Sequence, residues 1–101
     1  MLAADSLARR SMQKSLGSDE HQRLIDLLVA VRHGAGISQQ ILARKLGRPQ
    51  SFIAKYEGGE RRIDLIEFVA IARALGADPL KLFRDFLAGK PVKAPRKRRN
   101  S

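Results

Sequence analysis

The chain has 101 residues, no cysteine and a formal net charge of +10 at neutral pH. This length suits one small domain, and no apolar run is long enough to cross a membrane. Without cysteine, disulfides and zinc–thiolate sites are excluded and a reducing cytoplasm is the natural setting. Residues 1–18 lack the continuous apolar core of a secretory signal.

The positive charge is concentrated in two places. Residues 89–101 contain six basic residues and no acidic one, and residues 32–62 contain seven basic and two acidic residues. The remainder of the segment 19–88 is net acidic, with four bases and seven acids. The distribution predicts a basic surface in the middle of the chain and a basic tail that favours a polyanionic partner.

The first predicted helix begins after Ser18 or Asp19 and runs to about His33. Asp19 and Glu20 stand near its positively polarised amino end, and glycines follow its last turn. Its inward side chains are predicted to be Leu24, Leu27, Leu28 and Val31.

Residues 37–62 predict two short helices joined by a tight turn. Ser38 suits the N-cap of the first, and Gly47 can adopt the positive φ that ends it. Pro49 suits the first turn of the second, where its missing N–H would be unpaired in any case. In that second helix Ile53 and Tyr56 form an inward pair at i, i+3. The opposite, polar side carries Gln50, Ser51, Ala54 and Lys55.

Two further helices are predicted after a Gly58–Gly59 turn. Asp64 and Glu67 form a capping-box pattern at the start of the fourth helix. Asp78 and Pro79 suit the N-cap and first turn of the fifth. The apolar residues of the fourth are Leu65, Phe68, Val69, Ala72 and Leu75, and those of the fifth are Leu80, Phe83, Phe86 and Leu87. The fold class is therefore all-α, a compact five-helix domain over residues 19–88. A flexible or partly helical arm (1–18) precedes it and a basic disordered tail (89–101) follows.

The motif region resembles the helix-turn-helix family of the phage Cro and C1 repressors, also called the Xre family. The residues that match the family pattern are Ser38, Gln39, Leu42, Ala43, Leu46, Gly47, Ser51, Ile53, Glu57 and Gly59. Ala54 departs from the family's usual serine, and Pro49 from a small polar residue. The resemblance spans about residues 22–87 and implies a lambda-repressor-like fold. It also implies a sequence-specific transcriptional regulator, most simply a repressor, that binds double-stranded DNA and is associated with the bacterial nucleoid.

The same resemblance implies which side chains meet DNA. They are Gln39, Arg48, Gln50, Ser51, Phe52, Lys55, Arg61 and Arg62. Gln39 would contact a phosphate and brace the second motif helix, while Gln50 and Ser51 reach base edges. Gln50 could equally bond the backbone. Phe52 either touches a thymine methyl or packs beside the turn at Gly58.

Arg32 and Glu57 occupy positions at which relatives often carry an ion pair. The resemblance therefore predicts a partly buried pair that fixes the orientation of the second motif helix, and losing one partner would cost about 3 kcal/mol if the burial is deep.

No catalytic constellation, metal site or cofactor motif is evident, so the chain is not expected to be an enzyme. Two other functions are open: an antitoxin that binds a toxin protein and represses their shared operon, and a nonspecific nucleic-acid binder led by its tail. The tail composition would equally suit an RNA or an acidic protein. Binding a palindrome requires a dimer. Phe83 and Phe86 either pair across a two-fold axis or complete the core of a monomer.

Overall fold

Five helices form the part of the chain that the computed structural model describes, residues 19–89. They are α1 (Asp19–Gly34), α2 (Gln39–Leu46), α3 (Gln50–Glu57), α4 (Leu65–Ala74) and α5 (Pro79–Ala88). These bounds confirm the all-α, five-helix prediction. The predicted arm 1–18 and residues 90–101 of the predicted tail lie outside the described residues.

Local signals end and start the helices where the sequence predicts. Ser38 Oγ accepts a hydrogen bond from the Ile41 amide at 3.1 Å and so caps α2. Gly47 closes α2 with a φ of 66°, a conformation that a side chain would disfavour. Asp64 and Glu67 form a complete capping box at the start of α4. Pro49 is the N-cap of α3, one position before the predicted first turn, and its carbonyl accepts a hydrogen bond from the Phe52 amide.

The core lies where α3 meets the other helices. α3 packs against α1 and α2, while α4 packs against α2 and α5, and α5 also contacts α1. The largest fully buried side chains are Leu28, Leu42, Ile53, Tyr56 and Ile71. The predicted inward pair of α3, Ile53 and Tyr56, is thus at the centre of the domain.

Several apolar residues face outward instead of inward. Leu65 at the start of α4 is 69% exposed, and Leu82, not its neighbours, is the buried residue of α5. Between residues 19 and 89, the exposed large apolar side chains are Ile41, Leu65, Ile66, Leu80, Phe83 and Leu87. α5 is strongly amphipathic, but its broadest apolar side is only partly covered by the rest of the domain. Phe83 is 42% exposed although its ring packs edge to face against the buried Phe68, and Phe86 is half-buried.

Candidate nucleic-acid interface

Helix α3 presents a small polar face to solvent. Gln50, Ser51, Ala54 and Lys55 are all exposed, whereas Phe52, Ile53 and Tyr56 are buried. The Phe52 and Tyr56 rings pack edge to face with centroids 5.5 Å apart and hold the helix from beneath. An exposed polar helix face on a rigid base has the shape and chemistry needed to enter a DNA groove.

The ion pair between Arg32 and Glu57 anchors the end of α3 to α1. Arg32 Nε donates to Glu57 Oε2 at 2.7 Å and Nη2 donates to Oε1 at 3.0 Å, a bidentate pairing. Arg32 Nη1 donates to the Ile37 carbonyl at 2.9 Å. The two side chains are only 10% and 7% exposed. Both charges are therefore desolvated and paired, as buried charges must be.

Gln39 extends this network to the exposed face of α3. Its Nε2 donates to Glu57 Oε1 at 2.8 Å, and its Oε1 accepts from Gln50 Nε2 at 3.3 Å. A carboxylate only accepts hydrogen bonds, so the amide nitrogen of Gln39 must be the atom that faces Glu57. One chain of hydrogen bonds thus runs from Arg32 through Glu57 and Gln39 to Gln50. The predicted phosphate contact of Gln39 stays a prediction, and its second amide hydrogen is available for it.

A second charged cluster lies beside the amino end of α3. Arg61 donates to both carboxylate oxygens of Glu67, at 3.0 and 2.9 Å, and Arg48 Nη2 donates to Oε2 at 3.2 Å. The guanidinium carbons of Arg48 and Arg61 lie 4.4 and 4.7 Å from the centre of the Phe52 ring, within cation–π range. We call Arg48, Phe52, Arg61 and Glu67 the arginine cluster.

The two arginines of the cluster lower the pKa of Glu67. Hydrogen bonds from Arg61, from the Asp64 amide and from Arg48 lower the pKa of Glu67 from 4.5 to about 2, against the opposing effect of desolvation. The carboxylate is therefore charged at neutral pH and neutralises one of the two arginines.

Phe52 lies beneath two arginine side chains. Its side chain is buried, 7% exposed, and both guanidinium groups lie over its ring. The structure thus shows packing against Arg48 and Arg61, and the contact with a thymine methyl stays a prediction. The ring serves as the surface on which the two arginines are held.

The remaining predicted contact residues are at the surface. Lys55 and Arg62 are exposed, and the Arg62 carbonyl accepts from Arg61 Nη1 at 2.6 Å. The residue that sequence reasoning missed is Glu67, which was expected only to cap α4. Its contact with Arg48 joins residues 19 positions apart, and no local signal marks it.

The described residues contain no group of three or more His, Asp or Glu side chains that could hold a metal ion. No helix between residues 19 and 89 is long and apolar enough to span a membrane.

Comparisons with known proteins agree with this geometry. A family model for a helix-turn-helix domain matches residues 23–82. An XRE-family like protein from Pseudomonas syringae pv. tomato str. DC3000 is similar at 44% identity and a TM-score of 0.71, covering 80% of this chain and 99% of that one. The restriction-modification controller protein C.AhdI from Aeromonas hydrophila is 30% identical, with a TM-score of 0.57 over 62% of this chain and 96% of that one.

A third solved structure shares the fold at lower identity. The controller protein C.Esp1396I, solved as a tetramer with its natural 35 base-pair operator, is 18% identical and has a TM-score of 0.64. The similarity covers 70% of this chain and 93% of that one. No curated protein sequence matches the chain.

Proposed function

We infer that the chain, which belongs to the Xre-type helix-turn-helix family of DNA-binding transcriptional regulators, binds operator DNA by inserting α3 into the major groove. The observation that carries this proposal is the exposed polar face of α3, held in place by the hydrogen-bonded chain from Arg32 to Gln50. A recognition element must be rigid to discriminate between bases, and this network fixes both ends of the helix. Occlusion of a promoter, and hence repression, is the simplest outcome of such binding.

Each exposed side chain has a proposed role that follows from its chemistry. Gln50 and Ser51, at the amino end of α3, reach base edges, and the Gln50 amide can pair with adenine in two hydrogen bonds. Lys55 and Arg62 neutralise phosphates on either side of the groove. Gln39 donates its second amide hydrogen to a phosphate while its first stays on Glu57.

A homodimer is the proposed binding unit, since one recognition helix reads half of a palindromic operator and the half-sites lie about 34 Å apart. An apolar groove of about 190 Å³ runs between α1, α4 and α5, lined in part by Leu24, Phe68 and Phe86. Phe83, 42% exposed, stands at its wall. We propose that a second copy of the chain covers this surface, because a two-fold interface pairs one surface with itself. C.Esp1396I assembles on its operator as a tetramer, which supports multimeric binding in proteins of this fold.

Sedimentation tests the dimer. Phe83→Asn should convert the sedimenting species from dimer to monomer, because it places an amide in the apolar interface. Ile66→Asn is the matched control, since Ile66 is 80% exposed and lines a different groove, beside Leu46 and Phe52. An unchanged dimer in the Phe83 variant would place the interface elsewhere.

Selection from a library of randomised duplexes tests the function itself. The full chain should enrich one inverted repeat at about 0.15 M salt, and Gln50→Ala should relax the preference at one position of each half-site, at a cost of about 1–3 kcal/mol. Gln22→Ala, which truncates an exposed glutamine of α1, should leave the enriched sequence unchanged. Enrichment of no sequence would refute the proposal and favour a nonspecific binder.

The antitoxin alternative gains no support from the similar proteins, which are an XRE-family like protein and restriction-modification controllers. A cytoplasmic, nucleoid-associated location is the proposal that accompanies operator binding.

A further inference from the structure

The arginine cluster places a carboxylate between two arginines that were both expected to meet DNA. Arg48 stands in the turn before α3, and Phe52 lies in the first turn of that helix, so the cluster lies at the helix end proposed to enter the groove. Arg61 belongs to the segment between α3 and α4. Glu67, in α4, thus bonds to the chain segments that precede and follow the recognition helix.

The contacts leave both arginines ordered but still able to donate. The described contacts of Arg48 with Glu67 use one of its five N–H groups, and its side chain is 43% exposed. Arg61 is 38% exposed and is held by a two-pronged pairing. A flexible arginine loses side-chain entropy when it binds a phosphate, whereas these two are already fixed over the Phe52 ring.

The carboxylate also lowers the charge that the cluster offers to DNA. Two guanidinium groups and one carboxylate carry a net charge of +1 instead of +2. Affinity for random duplex depends mainly on the number of phosphates neutralised, so each charge cancelled weakens it. Affinity for an operator depends in addition on whether the donors stand in the correct positions. A fixed, partly neutralised pair of arginines therefore favours the cognate register over other registers.

We propose that Glu67 is a specificity-determining positioning residue, which orders Arg48 and Arg61 at the interface and reduces their contribution to binding of random DNA. This inference rests on the proposed function, because it presumes that α3 enters the groove. It adds a residue outside the helix-turn-helix motif to the determinants of discrimination.

Glu67→Gln tests the proposal without removing the helix cap, because a glutamine oxygen can still accept from the Asp64 amide. The probes are a duplex carrying the sequence selected by the wild-type chain and a scrambled duplex of equal length. E67Q should bind the scrambled duplex about fivefold more tightly at about 0.15 M salt, and its salt slope should steepen by about 0.9. The ratio of selected to scrambled affinity should fall by about fivefold or more.

Two control variants separate charge from geometry. Glu60→Gln removes the same charge from an exposed carboxylate in the turn after α3, and its affinity ratio should stay within about twofold of wild type. Arg61→Lys keeps the charge but loses the bidentate ion pair with Glu67. It should therefore lower the ratio of selected to scrambled affinity while leaving the salt slope unchanged. Urea unfolding of each variant excludes loss of folded protein as the cause.

An NMR readout in the absence of DNA tests the positioning directly. The Arg61 Nη–Hη signals, from the two nitrogens that donate to Glu67, should be resolved and slow to exchange in wild type and should broaden or exchange rapidly in E67Q. If wild type discriminates between the duplexes and E67Q discriminates equally well, or if the Arg61 signals are unaffected, the inference is wrong and the proposed function stands. If wild type itself selects no sequence, the proposed function fails and the inference falls with it.

Discussion

Removal of the Glu57 carboxylate should destabilise the domain strongly. Glu57→Ala leaves the Arg32 guanidinium, in a side chain only 10% exposed, without either of its carboxylate hydrogen bonds. Gln39 Nε2 loses its acceptor as well. Breaking a buried pair from one side costs about 3 kcal/mol or more, because the remaining charge stays buried and unpaired.

That cost is large for a domain of this size. The total stability of a small domain is about 5 kcal/mol, and its urea m-value is about 1 kcal/mol/M. A loss of about 3 kcal/mol therefore lowers the urea midpoint by about 3 M, which far-UV circular dichroism measures easily. Glu60→Ala, at an exposed carboxylate three positions later, should change the free energy of unfolding by less than about 0.5 kcal/mol.

A double-mutant cycle separates the interaction energy of the ion pair from the effects of removing each residue alone. Arg32→Met combined with Glu57→Met should cost clearly less than the sum of the two single changes, since no charge is left stranded. A cost of Glu57→Ala below about 1 kcal/mol, or methionine substitutions that add within about 0.5 kcal/mol, would contradict a strongly coupled buried ion pair.

Three further predictions concern single residues. Tyr56→Phe should lower the free energy of unfolding by less than about 0.5 kcal/mol, or raise it, because the buried hydroxyl has no hydrogen-bond partner among the described residues. A decrease above about 1 kcal/mol in urea unfolding would mean that the hydroxyl has a partner. Gly47→Ala should lower the free energy of unfolding by about 1 kcal/mol, because the φ of Gly47 is 66° while nothing crowds the new Cβ. Gly34 is equally uncrowded and has no positive φ, so Gly34→Ala should be neutral or stabilising. Equal effects of the two substitutions would contradict a conformational cause. The pKa of the Glu67 carboxyl is lowered from 4.5 to about 2, so its contribution to stability is complete above pH 4.5 and is lost as the pH falls toward 2. In thermal unfolding, E67Q should lack this part of the acid-induced loss of stability. About 0.5 M salt should reduce the same part of the loss in wild type.

Local chemistry explains why much of the fold could be predicted. Ser38, Gly47 and the Asp64–Glu67 box act within one helical turn, so their roles can be inferred from neighbouring residues alone. The inward pair Ile53 and Tyr56 follows from helical spacing in the same way.

Features set by the arrangement of helices could not be predicted in this way. Leu82 is buried and Leu65 is exposed, and helical spacing alone does not indicate which part of an apolar side the neighbouring helices cover. Arg32 and Glu57 are 25 positions apart and were paired only through resemblance to a family. The contacts of Glu67 with Arg48 and Arg61 matched no known pattern, and only the folded structure brings these side chains together.

Fluorescence anisotropy with two duplexes tests whether the protein recognises a DNA sequence. One carries the inverted repeat selected by the full chain and the other its scrambled sequence, both at about 0.15 M salt. The selected duplex should bind about 1,000-fold more tightly than the scrambled one, or better. Affinities within about tenfold of each other would contradict sequence-specific recognition and would assign the binding to charge alone.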